Sequence, residues 1–404
     1  RRVKEGLPDL REIPSCIGGD PKSRRGIVVA KSIPAKKYGV TTGEPVSMAL
    51  RKCPELICVP GDFALFETCS RAFKKICASY APVMESFSID EVFLDMSGTE
   101  KIYPDPVKLA HEIKDRIREE LGFTVNIGIG TNKLLAKMAS DFEKPDKVHT
   151  LFPAEIPTKM WPLPVRDLLF LGKASEQRLL QEGIKTIGDM ARSGEAELKR
   201  ILGEKAGHQL YRYANGIDDS PVRAEREEAK GYSAETTVEE DLVTYEQALA
   251  LLLAQCDVVA ARMRRDGKKC SCVAVTYRTL DFKTRSHQRA FEDPTDVTDE
   301  IFAQVKKLLY ECWKCEPLRL IGMALTDLTT DDFRQISLFE NPDEREKQKK
   351  ADEAFDDIRR RFGNGMIVRG STMSTAGKVA RKAKAQMDQD AVKLLHKPQL
   401  PENL

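Results

Sequence analysis

Ser88-Ile89-Asp90-Glu91-Val92-Phe93-Leu94-Asp95 is the stretch on which the reading of this chain turns. Two carboxylates sit side by side inside strand-forming residues. Side chains alternate faces along a strand, so Asp90 and Glu91 point apart in a regular strand and converge only where the chain turns. The flanks predict that turn. Val83 to Ser88 forms one arm of a hairpin, Val92 to Met96 the other, and Gly98 ends the second arm. An acidic pair at a hairpin tip offers the hard oxygen ligands that Mg²⁺ takes. By itself such a pair reads as a solvated turn with two charges, and the surrounding sequence decides between the two readings.

At 404 residues the chain is long enough for two to four domains of roughly 100–200 residues each. A composition of 41% hydrophobic and 32% charged residues places it with soluble, mostly globular chains. No apolar run approaches the ~20 residues of a membrane span. The net charge is +2, so any nucleic-acid surface has to be a local patch rather than a global excess. The ten cysteines are scattered through ordinary apolar patterns, as in a reducing cytoplasm. Cys270 and Cys272 with Cys312 and Cys315 would make a four-thiolate zinc site. Cys312, however, ends an apolar helical run with no turn glycine at the pair, which argues against zinc.

Periodicity lays out the rest. Residues 1–62 are rich in glycine, proline and lysine, with short strand-like runs such as Ile27–Ala30. Phe63, Phe66, Cys69, Phe73, Ile76 and Tyr80 recur at helical spacing, as do Val107, Ala110, Ile113, Ile117 and Leu121. Phe123, Val125, Ile127 and Ile129 alternate as a strand. A helix follows over Lys133–Phe142, with Thr131 or Asn132 as its cap. This order predicts an open α/β sheet with helices on one face. Pro153 to Pro164 reads as a boundary, residues 165–220 as helical, and Glu225–Lys230 as a charged linker. Residues 232–330 predict a second α/β unit, a small sheet backed by the helices Tyr245–Arg265 and Thr298–Cys312. Asp343–Phe362 reads as a further helix, and Ser371–Leu404 as mostly disordered.

Ser88-Ile89-Asp90-Glu91 followed by Val92-Phe93-Leu94-Asp95-Met96-Ser97-Gly98 closely resembles the signature of Y-family DNA polymerases, the lesion-bypass enzymes of the UmuC/DinB type. The resemblance runs in order from about Pro8 to Phe339. It implies a mixed α/β (α+β) right-hand polymerase with a ferredoxin-like palm, small fingers, a helical helix-hairpin-helix thumb and a separate little-finger α/β domain. On this chain it implies fingers over 1–62, palm over 63–154, thumb over 155–224, a linker over 225–231 and a little finger over 232–331. A clamp-binding peptide would follow at 335–339, and a charged, largely flexible tail at 340–404.

The resemblance also assigns roles. Asp90 would bridge two Mg²⁺ ions, and Glu91 would bind the one that activates the primer 3′-hydroxyl. Asp95, further down the strand, reads as structural. The run Ala30-Lys31-Ser32-Ile33-Pro34-Ala35-Lys36-Lys37-Tyr38-Gly39-Val40 resembles the fingers motif A-x-Y-E-A-[RK]-x-x-G-V, with Lys36 at the phosphate-contacting position and Ile33 where many relatives have tyrosine. Lys144 matches a second phosphate-binding lysine. Leu168 to Lys173 resembles a helix-hairpin-helix turn, and Leu202 to Lys205 a weaker copy. Gly172, Lys173, Gly203 and Lys205 would then meet DNA phosphates through helix N-termini. Arg278, Lys283, Arg285 and Arg289 cluster around one strand pair and would track the DNA backbone, or simply solvate a sheet edge. Gln335-Ile336-Ser337-Leu338-Phe339 resembles the pentapeptide that docks polymerases onto the ring-shaped sliding clamp.

The partners implied are primer–template DNA, dNTPs and the replication sliding clamp, with no membrane. The enzyme is expected as a monomer in the bacterial cytoplasm, at the nucleoid. The family's other catalytic aspartate lies in a motif D-x-x-x-F-[FY]-A-S-V-E, and residues 8–21 look like what comes just after it. The chain is therefore expected to start on the order of fifteen residues late and to polymerise poorly. The alternatives are a non-catalytic DNA- and clamp-binding protein and a nucleotide cyclase with a similar palm. The thumb hairpin and clamp peptide argue against the cyclase.

Overall fold

The computed structural model describes residues 3–21, 24, 26–225, 228–331, 342–363, 366, 367 and 369. They divide into two compact units. One spans residues 65–227, and the other joins those up to 64 with those from 228 onward.

In the first unit, α3 (Phe63–Ala78) leads into the hairpin of β4 (Val83–Ser86) and β5 (Val92–Asp95), paired antiparallel with Ser86 opposite Val92. The helix α4 (Pro106–Leu121) follows. Asp105 caps it, accepting from Val107 N and Lys108 N, and Gly122, with φ +74°, ends it. Phe73, Ile76 and Cys77 of α3 and Leu109, Ile113, Ile117 and Leu121 of α4 form a core, with Met84, Val92 and Leu94 of the hairpin packed against it.

The strands β6 (Ile127–Gly130) and β7 (Val148–Leu151) pair parallel, with α5 (Lys133–Asp141) between them in sequence. Asn132 caps α5 through Leu135 N at 2.9 Å. The helix backbone lies directly on β6 because Gly128 and Gly130 carry no Cβ. A Cβ at Gly128 would sit 2.0 Å from Ala136 O, and one at Gly130 2.7 Å from Ala136 N.

The strands form two separate two-stranded sheets, β4–β5 and β6–β7, not the single open sheet expected. Side chains join them in place of a ladder: Phe123, Val125 and Ile127 pack on the same core as the hairpin.

The helices α6 (Lys173–Gln181), α7 (Ile187–Ser193), α8 (Glu195–Leu202) and α9 (Glu204–Ala214) complete this unit. Leu134, Leu135, Met138 and Ala139 of α5 share one core with Met160, Leu179, Ile187, Met190, Leu198 and Leu210. The core therefore runs straight through the Pro153–Pro164 stretch that reads as a boundary. Thr186 caps α7 by accepting from Asp189 N at 3.0 Å, and Asp189 accepts in return from Thr186 N at 2.9 Å. The backbone N–H and hydroxyl of Thr186 hold the Asp189 carboxyl down at about 2.

In the second unit, β1 (Ser15–Gly18), β2 (Val28–Lys31) and β3 (Ile57–Val59) form a sheet in the order β2-β1-β3, with α1 (Ile33–Lys37) and α2 (Val46–Lys52) packed on it. The other part is an antiparallel sheet in the order β10-β9-β11-β8. Its strands are β8 (Gly231–Leu242), β9 (Lys269–Thr279), β10 (Thr284–Thr295) and β11 (Leu318–Thr329). The helices α10 (Tyr245–Arg265) and α11 (Thr298–Cys312) share its core, as the periodicity predicts.

A helix stands where the sequence predicts one, over Asp343–Phe362. Pro342–Phe362 forms the helix α12, which docks on α10 and α11. The contact is ionic. Arg264 Nε donates to Asp356 Oδ2 at 2.7 Å, Arg264 Nη1 lies 3.3 Å from Asp352 Oδ2, and Arg359 Nη2 lies 3.2 Å from Asp257 Oδ2. Thr298 N donates to Asp352 Oδ2 at 2.7 Å. Burial pushes the Asp352 carboxyl above its ordinary range, against the pull of Arg264. A helix sparse in apolar residues gives little hydrophobic signal in sequence, so its docking is invisible there.

Two outcomes test these contacts. Arg264→Met leaves buried Asp352 and half-buried Asp356 beside a neutral chain and is expected to destabilise the second unit by about 3–5 kcal/mol. Chemical denaturation reads this, and a change under ~1 kcal/mol counts against the ionic dock. Thr186→Ala is expected to cost about 1 kcal/mol, seen as roughly fivefold faster hydrogen exchange in α7. Asp189→Asn should lose a contribution that is full above the unfolded carboxyl value of 3.8 and vanishes as pH falls through about 2. The gap between wild type and variant must therefore close on acidification.

Candidate active site

The hairpin tip turns as its sequence predicts. Phe87 N and Ser88 N both donate to Glu91 O at 3.1 Å, closing the loop over Ser88, Ile89 and Asp90. Ser70 of α3 donates its hydroxyl to Ile89 O, and Lys74 Nζ donates to Ser88 O at 2.6 Å and to Ser86 Oγ at 2.7 Å. The tip is thus pinned to α3 from beneath. Burial pushes the Lys74 ammonium below its ordinary pKa, against the attraction of Asp90.

The two carboxylates are held alike. Asp90 Oδ1 accepts from Ser88 Oγ at 2.7 Å, and Glu91 Oε1 pairs with Lys137 Nζ at 2.9 Å. Asp90 Oδ2 and Glu91 Oε2 have no partner among the described residues. Each side chain is oriented through one oxygen and keeps the other open.

The helix α5 supplies the cations. Lys133 and Lys137 lie one turn apart on the same face of a helix. Lys133 Nζ reaches both Glu85 carboxylate oxygens at 2.8 Å, and Lys137 reaches Glu91. The hairpin is therefore stitched to α5 from strand β4, at Glu85, and from its tip, at Glu91. Lys137 also bonds Asp141 Oδ2 at 2.7 Å, and Lys144 bonds Asp141 Oδ1 at 2.7 Å. Burial disfavours the Lys137 charge, but the bonds to Asp141 and Glu91 outweigh it and its pKa lies above the ordinary value. Burial likewise opposes ionisation of Asp141, and Lys137 and Lys144 overcome it and lower its pKa. Asp95 accepts from Ser97 N at 3.0 Å, a turn contact that fits its structural reading. The lysine stripe was missed from sequence; the K-x-x-x-K spacing of Lys133 and Lys137 was the available signal.

Among the described residues, no group of three or more His, Cys, Asp or Glu side chains comes together to hold a metal. Mg²⁺ is commonly bound by one or two carboxylates, with substrate phosphates and water filling the remaining positions. Two adjacent carboxylates, each with an open oxygen, fit that donor set.

The other sequence-predicted residues fall elsewhere. Lys144 is exposed and adjoins the site through Asp141. Lys36 lies exposed in the last turn of α1, in the second unit. Gly172 and Gly203 stand at the N-termini of α6 and α9, and neither helix has a side-chain cap there, so its first N–H groups remain available. Lys173 and Lys205 are exposed beside them.

The basic cluster of the last sheet is not one patch. Residues opposed in an antiparallel ladder share a face. Arg285 opposes Tyr277 and Arg289 opposes Val273, on the face that packs the helices, whereas Arg278 opposes Thr284 on the other face. Arg285 pairs with Glu316 at 3.1 Å, Arg289 with Glu311 at 2.5 Å and Lys283 with Asp281 at 2.8 Å. The face with Arg278 carries the hydroxyls of Thr276, Thr284 and Ser286, which a search for charge overlooks. The peptide Gln335–Phe339 lies outside the described residues.

Residues 2–141 match the impB/mucB/samB family, residues 229–338 the C-terminal domain of that family, and residues 166–218 the DNA polymerase-iota thumb domain. DNA polymerase IV of Clostridium acetobutylicum is 40% identical over 361 residues, covering 89% of this chain and 90% of that protein. DNA polymerase IV of Pelotomaculum thermopropionicum is 36% identical over 372 residues, 92% of each. DNA polymerase IV 1 of Bacillus subtilis is 34% identical over 369 residues, 91% of this chain and 88% of that protein. Among solved structures, a Y-family DNA polymerase chimera superposes with a TM-score of 0.66 at 23% identity, covering 79% of this chain and 92% of that one. DinB from Sulfolobus solfataricus gives 0.52 at 24% identity, over 80% and 95%. These two establish likeness of fold, and the sequence relatives establish kinship: the chain belongs to the Y family of DNA polymerases, the template-directed enzymes of translesion synthesis.

Proposed function

We propose that Asp90 and Glu91 are the metal ligands of nucleotidyl transfer in this chain, and that the ions are two Mg²⁺. The observation that supports this reading most is the paired state of the tip, in which each carboxylate is fixed through one oxygen and open at the other. The ions, when bound, neutralise the phosphates and lower the pKa of the primer 3′-hydroxyl. The protein's own part is positioning. Ser88 orients Asp90, and the bonds from Ser70 and Lys74 hold the turn in place.

Lys36 and Lys144 are proposed to contact the triphosphate. Among the described residues Lys144 is bonded only to Asp141, and it is largely exposed, so little is lost when it moves to a phosphate. The uncapped N-termini of α6 and α9, with Gly172, Lys173, Gly203 and Lys205, are proposed to hold DNA phosphates without reading sequence. Arg278 would meet the backbone from the hydroxyl-bearing sheet face. Lys283, Arg285 and Arg289 must exchange Asp281, Glu316 and Glu311 for phosphate to do so. Gln335, Ile336, Ser337, Leu338 and Phe339 are proposed to dock the enzyme on the sliding clamp. The setting proposed is a monomer acting in the bacterial cytoplasm during DNA-damage tolerance. All ten cysteines are free thiols, and among the described residues no helix is long and apolar enough to cross a membrane.

Primer extension tests the site. Asp90→Asn and Glu91→Gln should each lower kcat by at least about 100-fold while the Kd for primer–template stays within about twofold. A wild-type rate in either variant would remove that residue from the chemistry. Lys144→Ala should raise KM for dNTP about tenfold with little change in kcat. An unchanged KM would make Lys144 merely the surface partner of Asp141.

A further inference from the structure

Lys137 sits between two acids that do different things. Its ammonium is 2.9 Å from Glu91 Oε1 and 2.7 Å from Asp141 Oδ2, and its side chain is only 14% exposed. The ordering of this side chain comes from its helix. On one side α5 rests on β6 through Gly128 and Gly130. On the other its apolar residues enter the core shared with α6–α9. Nζ is therefore delivered to Glu91 from a rigid element, which is how a site holds a reactive group within a fraction of an ångström.

The contact at Glu91 is one-sided. The Lys137 ammonium engages Oε1, whereas the Lys133 ammonium spans both oxygens of Glu85. A guanidinium in the place of Lys137 would span both oxygens of Glu91 and leave none for a cation. Asp141 supplies the second contact that fixes Nζ, and Lys144 offsets its charge. The result is a row of alternating charges, Glu91, Lys137, Asp141 and Lys144, running from the hairpin tip along α5.

We infer that Lys137 is a positioning residue for nucleotidyl transfer, which fixes Glu91 through Oε1, keeps Oε2 for the cation and sets the cation affinity of the tip by standing as a fixed positive charge beside it. The inference rests on the reading of Asp90 and Glu91 as metal ligands. It carries an unusual consequence. The positive charge of Lys137 repels a divalent cation, so its removal strengthens binding. The same removal frees the Glu91 carboxylate to rotate, so the rate falls. A residue that merely supports the fold would move both quantities downward.

The test uses the full chain with Lys137→Met, Glu91→Gln and the double variant, with Mn²⁺ as the probe cation. Mn²⁺ affinity is read from the electron paramagnetic resonance of the free ion. Turnover is read from single-nucleotide extension at saturating Mn²⁺. Lys137→Met should bind Mn²⁺ at least about threefold more tightly, yet lose at least about tenfold in kcat with KM for dNTP within about twofold. In the Glu91→Gln background Lys137→Met should cost no further kcat, because Lys137 positions through Glu91, while its gain in Mn²⁺ affinity, which acts through space, should remain. Lys137→Gln, which is one atom shorter but keeps a polar end without the charge, should show the same gain in Mn²⁺ affinity and guards against a folding defect in the methionine variant. Loss of both quantities, no change in either, or a kcat effect of Lys137→Met that persists beside Glu91→Gln overturns the assignment. If Glu91→Gln alone leaves Mn²⁺ affinity and kcat at wild-type values, the metal-ligand reading fails, and the inference falls with it.

Discussion

Two lysine–glutamate bonds from one helix face, Lys133 to Glu85 and Lys137 to Glu91, fix where the acidic tip stands. A two-stranded hairpin of four residues per arm has little stability of its own in water. Here β4 and β5 gain it from the apolar core of α3 and α4, and the ion pairs set their place against α5. The pairs work because α5 itself cannot shift. Gly128 and Gly130 admit its backbone onto β6, and its apolar residues enter the core of α6–α9. The tip is thus coupled to α6–α9 by packing rather than by any covalent proximity. The backbone repeats the link: Asn132 Nδ2 donates to Gly216 O at 2.8 Å, and Arg223 N donates to Glu85 Oε2 at 2.9 Å.

Charge does the corresponding work in the second unit with a different outcome. The helix α12 carries few apolar residues, and Asp352 and Arg359 are nonetheless buried on docking. Their partners, Arg264 and Asp257, lie on α10, itself part of the apolar core of this sheet. Such pairs add specificity of placement more than net stability, because desolvation offsets much of their attraction. The near balance of 65 basic and 63 acidic residues has the same meaning. Arg285 and Arg289, which look like a free basic patch in sequence, stand bonded to Glu316 and Glu311.

Much of the architecture was legible because it is local. The turn at Asp90 and Glu91, the capping of α5 by Asn132, and the bounds of α10 and α11 all follow from spacing and side-chain type within a few residues. The elements that misled are those whose register or partner lies far away. The split of the expected sheet depends on side-chain packing that no alternation pattern encodes. The separation of Arg278 from Arg285 depends on a ladder register. The α12 dock depends on charges far apart in the chain.

The sequence by itself determined that an acidic pair caps a hairpin, that helices follow it, and that the whole resembles the Y family, since short-range sterics and motif order suffice for these. Only the tertiary structure decided which oxygen of each carboxylate the protein holds and which it leaves open. For Glu91 that choice depends on Lys137 arriving 2.9 Å away. Its arrival depends in turn on how closely two glycines let a helix approach a strand, a distance that no run of residues along the chain encodes.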